Sequence, residues 1–182
     1  MKRFGLVLLA VMALCVVAVR PAMAQGSLRY GVSAGVLMPM GDYNKFDKMG
    51  FVGGAGATYW LAGQPIGIRG DLSYSQSKHD GGIAGNTKIA GGMASVVYAL
   101  NPASSPARIL LTGGLGFYNV KVSSGTTSVS ESKIGFGGGA AVAFKLGTSS
   151  TRLVVGTRFT SVSTSGSSTT FLPITVGLTF GK

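Results

Sequence analysis

The chain has 182 residues, the size of a single domain. It carries 30 glycines, 46% hydrophobic residues, only 12% charged residues and a formal net charge of +11. No G-X-Y period accompanies the glycine, which excludes collagen, and the hydrophobic share excludes a disordered chain. Charge at about half its usual share of about 25% excludes an ordinary cytosolic enzyme, whose surface charged side chains normally cover.

Residues 1–24 read as a signal peptide. Met1-Lys2-Arg3 is a basic start, Phe4 to Val19 is an apolar run, and Arg20-Pro21 ends it before Ala22-Met23-Ala24. The small residues at 22 and 24 predict cleavage after Ala24, leaving Gln25 as the mature N-terminus. The apolar run is shorter than the roughly 20 residues a spanning helix needs. Cys15 lies inside it and follows Leu14, not the small residue that a lipid-modified cysteine requires. The mature chain therefore has no cysteine, which excludes disulfides and thiolate metal sites. It keeps 13 basic and 5 acidic residues, a net +8. The basic residues are scattered singly, with no stripe for nucleic acid. Anionic outer-membrane lipid and lipopolysaccharide fit an exported cationic chain better.

No helical apolar stripe follows residue 25. Instead, apolar and small or polar residues alternate with period 2 in segments bounded by turn residues. Eight strands are predicted, at 28–38, 51–62, 66–76, 88–100, 108–120, 132–146, 152–163 and 171–180. In the first, Leu28, Tyr30, Val32, Ala34, Val36 and Met38 share one face. In the second, Phe51, Ala55, Ala57, Tyr59 and Leu61 form the outer face, with Val52 and Trp60 opposing them. In the third, Ile66, Ile68, Leu72 and Tyr74 oppose Arg69 and Asp71. The fourth is mixed on both faces and its facing stays unassigned.

In the fifth, Ile109, Leu111, Leu115 and Phe117 face out, against Leu110 and Tyr118. The sixth is the clearest, with Ile134, Phe136, Ala140, Val142, Phe144 and Leu146 opposing Gly135, Gly137, Gly139, Ala141 and Ala143. The seventh sets Leu153, Val155 and Phe159 against Arg152, Gly156, Arg158 and Thr160. The eighth sets Leu172, Ile174, Val176, Leu178 and Phe180 against Phe171, Thr175, Gly177 and Thr179. Pro173, which has no N–H to give a ladder, is expected at a strand end or a bulge.

Such segments suit a transmembrane β-barrel, one face to lipid and the other to a narrow lumen. The long or polar connections 39–50, 77–87, 121–131 and 164–170 alternate with shorter turns, as extracellular loops alternate with periplasmic turns. Aromatic residues near strand ends, Tyr30, Phe51, Tyr59, Trp60, Tyr74, Tyr98, Phe117, Phe136, Phe144, Phe159, Phe171 and Phe180, are expected to form interfacial girdles. The predicted fold class is all-β: an eight-stranded antiparallel up-and-down barrel over residues 25–182.

Seven charged residues alternate onto inward faces: Arg29, Arg69, Asp71, Lys133, Lys145, Arg152 and Arg158. Arg29, Lys145 and Arg152 are placed near the periplasmic ends, where water and headgroups solvate them. Arg69, Asp71 and Arg158 fall nearer mid-strand, on strands three and seven, which face each other across an eight-stranded barrel. They are predicted to form a luminal charge network.

From its signal peptide to the final strand Leu172-Pro173-Ile174-Thr175-Val176-Gly177-Leu178-Thr179-Phe180, the chain resembles the small outer-membrane β-barrel family of OmpA-, OmpX- and OmpW-like domains. The resemblance implies the outer membrane as location and the barrel-assembly machinery as a partner. Members usually end on an aromatic residue that this machinery reads. Here Gly181-Lys182 follow Phe180, a departure from that ending.

Candidate chemistry is sparse. Barrel enzymes that modify lipid A use Ser, His and an acid near the outer rim, and Ser77, His79 and Glu131 are the set to weigh. Nothing in their spacing establishes a base within reach of a nucleophile, and no catalytic residue is assigned. One His beside an Asp gives too few ligands for a metal, and residues 42–47 lack a Ca²⁺-loop pattern. No cofactor is expected, because no helix follows the glycine runs to present amides to a phosphate. The expected role is structural or surface-interacting, with the lumen filled or nearly so. A narrow conduit for small hydrophobic molecules, as in the OmpW-like branch, is the alternative, and a lipid A-modifying enzyme comes after it. The sequence sets no oligomeric state.

Overall fold

The computed structural model describes residues 26–41, 44, 47–79, 85–124, 127–164 and 167–181. The predicted signal peptide and its cleavage site at Ala24 lie outside the described residues. Eight strands follow one another: β1 (Ser27–Met40), β2 (Gly50–Trp60), β3 (Ile66–Lys78), β4 (Gly85–Ala99), β5 (Ala107–Ser124), β6 (Thr127–Lys145), β7 (Arg152–Thr164) and β8 (Ser167–Phe180). Each pairs antiparallel with the next, and β8 pairs with β1 to close the barrel. Closure leaves no open sheet edge within the band, which an apolar bilayer would penalise.

One end of the barrel carries the connections 61–65, 100–106 and 146–151 together with Gly26 and Gly181, and is called here the turn end. These turns are tied down locally. Gln64 N–H donates to Leu61 O at 3.2 Å and Leu146 N–H to Thr151 O at 3.1 Å. Gly63 and Gly147 adopt φ of 66° and 59° there, a conformation that a residue with a Cβ disfavours. Asn101 clamps the β4–β5 turn, donating to Ala107 O at 2.6 Å and accepting from Ile109 N–H at 2.8 Å.

At the opposite, loop end, the strands run further than the sequence predicts. The proposed loops 121–131 and 164–170 are largely strand: β5 and β6 pair out to Ser124↔Thr127, and β7 and β8 out to Thr164↔Ser167. Ser, Thr and Val dominate there on both faces, so the polarity that reads as loop conceals pairing-competent backbone. β5 and β6 have 18 and 19 residues, whereas a tilted membrane strand needs about 9–11. Their hairpin therefore extends beyond the apolar band.

Facing follows the period-2 pattern. Val32, Val36, Ile68, Leu72, Leu115, Phe117, Ile134, Phe136 and Val176 are exposed on the outer wall, where lipid covers them. Outward aromatic residues occur toward both ends: Tyr30, Tyr59, Tyr98, Phe144 and Phe180 near the turns, and Phe51, Tyr74, Phe117 and Phe136 toward the loops. Two predicted girdle members do not belong: Trp60 and Phe171 are buried inside the barrel. Their parity along β2 and β8 already places them inward, and proximity to a strand end is the weaker signal.

Pro173 also departs from expectation. It sits inside β8, opposite Leu37 of β1, with no bulge. The β7–β8 ladder is interrupted between Thr157↔Ile174 and Thr160↔Phe171, and the register is the same on both sides of the gap. The missing proline N–H breaks the ladder locally, and Thr157 Oγ1 donates to Pro173 O at 3.1 Å beside it.

Candidate functional site

The inward faces are mostly Gly, Ala, Ser and Thr, and these bare positions make room for a few large side chains. A Cβ on Gly91, Gly116 or Gly135 would run into the Tyr118 ring. One on Gly67 would lie 3.2 Å from Trp60, and one on Gly56 would lie 2.5 Å from Asp71 Oδ1. The high glycine content is therefore steric accommodation within a narrow barrel.

Three layers occupy the lumen. Toward the loop end, Leu37, Val52, Ile89, Tyr118, Val120, Val162 and Phe171 form a buried apolar cluster. Tyr118 and Phe171 meet edge-on, with centroids 6.2 Å apart, a favourable aromatic geometry. Toward the turn end, Trp60, Val97 and Ala99 cluster with Leu110 packed on them.

Between them lies the charged layer. Asp71 Oδ1 accepts from Arg69 Nε at 2.7 Å, and Arg69 Nη2 lies 2.7 Å from the same oxygen. Arg158 extends from β7 and donates through Nη2 to Asp71 Oδ2 at 3.1 Å. Its Nη1 contacts Met93 Sδ at 3.3 Å. The side chains of Asp71, Arg158 and Arg69 are 12%, 21% and 27% exposed, so this layer is partly hydrated. A cavity of about 140 Å³ beside it is bounded by the bare wall of Gly31, Ser33, Gly54, Gly56, Thr175 and Gly177.

A second set of arginines closes the turn end. Arg152, expected in water or headgroups, is 8% exposed. It donates to Ala103 O at 2.6 Å and to Ser105 O and Ala143 O at 3.3 Å. The carbonyls of the neighbouring turn replace water as its partners. Arg29 donates to Ser150 O at 2.8 Å. Arg108, which the sequence reading does not single out, stacks over Trp60 at 4.0 Å to the ring centroid. Its position opposite an apolar residue, on a strand with Leu110 inward, was the available signal.

At the loop end, Ser77 and His79 meet Asp47 rather than Glu131. Ser77 Oγ donates to Asp47 Oδ1 at 2.8 Å and Thr87 Oγ1 to Asp47 Oδ2 at 3.0 Å. His79 Nε2 lies 3.4 Å from Thr87 Oγ1 and 4.0 Å from Asp47 Oδ1, and residues 47 and 79 form a backbone bridge. Glu131 pairs with Lys133 at 2.8 Å. Ser77 directs its hydroxyl proton at a carboxylate, so the group clasps the first loop onto β3 and β4. No cluster of three metal-ligating side chains occurs among the described residues.

No curated protein sequence matches the chain. The fold is shared by solved structures that include the following three. Neisserial surface protein A is 17% identical over 88% of this chain and 99% of its own, with a TM-score of 0.66. The N-terminal β-barrel domain of Pseudomonas aeruginosa OprF is 13% identical over 87% and 100%, with a TM-score of 0.55. Ail, the attachment invasion locus protein of Yersinia pestis, is 18% identical over 85% and 97%, with a TM-score of 0.51. The family model for the outer membrane protein beta-barrel domain matches residues 6–180. With that match and a closed eight-stranded barrel clothed in apolar side chains, the chain belongs to the outer membrane protein β-barrel family and resides in the outer membrane.

Proposed function

We propose that this outer-membrane barrel is a non-enzymatic structural and surface-interaction protein whose lumen does not conduct. The observation that carries the reading is the occupied lumen: apolar clusters toward both ends, with Asp71 bonded to both walls between them. An eight-stranded barrel has an interior just wide enough for side chains or one small ligand. The protruding β5–β6 and β7–β8 hairpins supply the surface that remains for interaction. In this reading residues 1–24 are removed after Ala24, the barrel-assembly machinery inserts the chain, and the loop end faces outside the cell. Nucleic acid has no role, because nine of the twelve charged residues in the strands point inward or lie on inward faces. Catalysis has no support from the Ser77–Asp47–His79 clasp, whose serine proton is already committed.

Planar-bilayer recording tests the reading. The wild-type barrel should give no stable conductance steps. The double variant Tyr118→Ala/Phe171→Ala, which empties the widest part of the loop-side cluster, should give small ones. Stable steps from the wild type would overturn the closed lumen and favour the conduit for small molecules.

A further inference from the structure

Charge on the outer wall is confined to one place. Among the described strand residues only Lys78, Lys88 and Lys121 are charged and face outward. Each alternates with a buried inward neighbour: Ser77, Thr87 and Ile89, and Val120. They occupy three consecutive strands, β3, β4 and β5, at the loop end. Lys88 lies directly opposite Lys121. Lys78 pairs with Asn86, and Lys88 with Gln76, which makes Lys78 and Lys88 diagonal neighbours.

Opposed residues stand about 4.5–5.5 Å apart and diagonal ones about 7–8 Å apart, so three flexible ammonium groups can converge on one anion. Left alone, like charges directly opposite one another are destabilising. No acidic side chain shares this face among the described residues, and none of the three lysines has an ion pair or side-chain hydrogen bond there. Below them the wall changes from polar Gln76 and Asn119 to lipid-facing Tyr74 and Phe117. The lysines therefore stand at headgroup height, just above the apolar band.

We propose that Lys78, Lys88 and Lys121 form an outer-wall site for the phosphate groups of an anionic glycolipid of the lipid A class. The site deepens the surface-interaction reading and rests on it for one point, that the loop end lies in the outer leaflet. Clustered phosphates remove the mutual repulsion of the three lysines, and the neighbouring apolar wall accepts the acyl chains.

The test uses the refolded barrel in phosphatidylcholine bicelles with and without lipid A, with folding checked by heat-modifiable gel mobility. Native mass spectrometry should find lipid A retained by the wild type. Retention should fall roughly tenfold or more in Lys88→Gln/Lys121→Gln, since each surface lysine carries part of the attraction to anionic lipid. Lys145→Gln, at the turn end, should leave it unchanged. In phosphatidylcholine alone Lys88→Gln should raise the urea midpoint, by removing repulsion, and with lipid A it should lower it. If the double variant folds poorly, Lys121→Gln alone, at an exposed strand end, gives the same comparison. No retention by the wild type, equal retention in all variants, or a midpoint shift of one sign in both bicelles overturns the proposal. Lipid A is present in both leaflets of the bicelle, so these results do not depend on orientation, which cysteine labelling on cells reads separately.

Discussion

Arg158 on β7 crosses the barrel to Asp71 on β3, placing Nη2 3.1 Å from Oδ2, while Arg69 holds the other carboxylate oxygen at 2.7 Å. One acid thus balances two guanidinium groups from opposite walls. Removing it leaves both cations facing each other in a confined space. Breaking a buried pair typically costs about 3–5 kcal/mol, and partial hydration lowers that figure. Asp71→Ala should therefore lower the unfolding free energy by more than about 1 kcal/mol, whereas Glu131→Ala, in the half-exposed pair with Lys133, should change it by less than about 0.5 kcal/mol. Urea titration of the refolded barrel reads both.

The Tyr118 ring depends on its glycine neighbours. A Cβ at Gly116 would approach Tyr118 Cε2 to 2.7 Å and Gly92 O to 2.7 Å. Overpacking of this kind costs about 1–3 kcal/mol. Gly116→Val should lower the urea midpoint markedly, and combining it with Tyr118→Leu should recover part of the loss. The lack of any recovery would show that the backbone contact, not the ring, sets the limit.

Arg152 satisfies three carbonyls of the turn-end structure at once. Arg152→Met should destabilise the barrel by about 1–3 kcal/mol, because the buried Ala143 carbonyl and two part-buried carbonyls lose their donor. Arg152→Lys should recover little, since a single ammonium does not reproduce the planar fork of the guanidinium. Thermal unfolding followed by heat-modifiable gel mobility distinguishes the three proteins.

Ala140 faces outward at the middle of the stretch of β6, residues 135–145, that pairs with β7. Arginine there should cost roughly 2–4 kcal/mol in refolding equilibria, as it does at a bilayer midplane, and much less near an interface. Ser132→Arg, above the apolar band, is the matched control.

Orientation and processing have direct readouts on cells. Cysteines placed at Ser124 and Ser167 should react with an impermeant thiol reagent on intact cells, and one at Ser149 only after the membrane is opened. N-terminal sequencing of the extracted protein should begin at Gln25, after cleavage that follows Ala24. The reverse labelling pattern would place the loop end inside.

The barrel was legible where its two faces differ. On β1, β3, β6 and β8 one face is apolar and the other is small or charged, so parity alone assigns lipid and lumen. On β4 it fails for a physical reason: Ile89, Met93, Val97 and Ala99 are buried inside, while Ala94, Val96 and Tyr98 face out. A lumen packed with apolar side chains erases the contrast that alternation needs. The strand extensions past Val120 and before Ser132 were hidden because their Ser- and Thr-rich faces are wet on both sides. Arg69, Asp71 and Arg158 could be placed together because parity and strand order fix the walls they come from. The Asp47 clasp could not, since no periodicity governs where a loop residue lands.

The wall-to-wall bond across the lumen is tested most directly by a double-mutant cycle between Asp71→Asn and Arg158→Met, read by urea unfolding in one lipid. Direct partners should show a coupling energy of about 1 kcal/mol or more, and independent sites add to within about 0.3–0.5 kcal/mol. Coupling of that size supports a lumen bridged from β3 to β7. Additive effects would contradict the bridge and leave the two walls facing each other across open water.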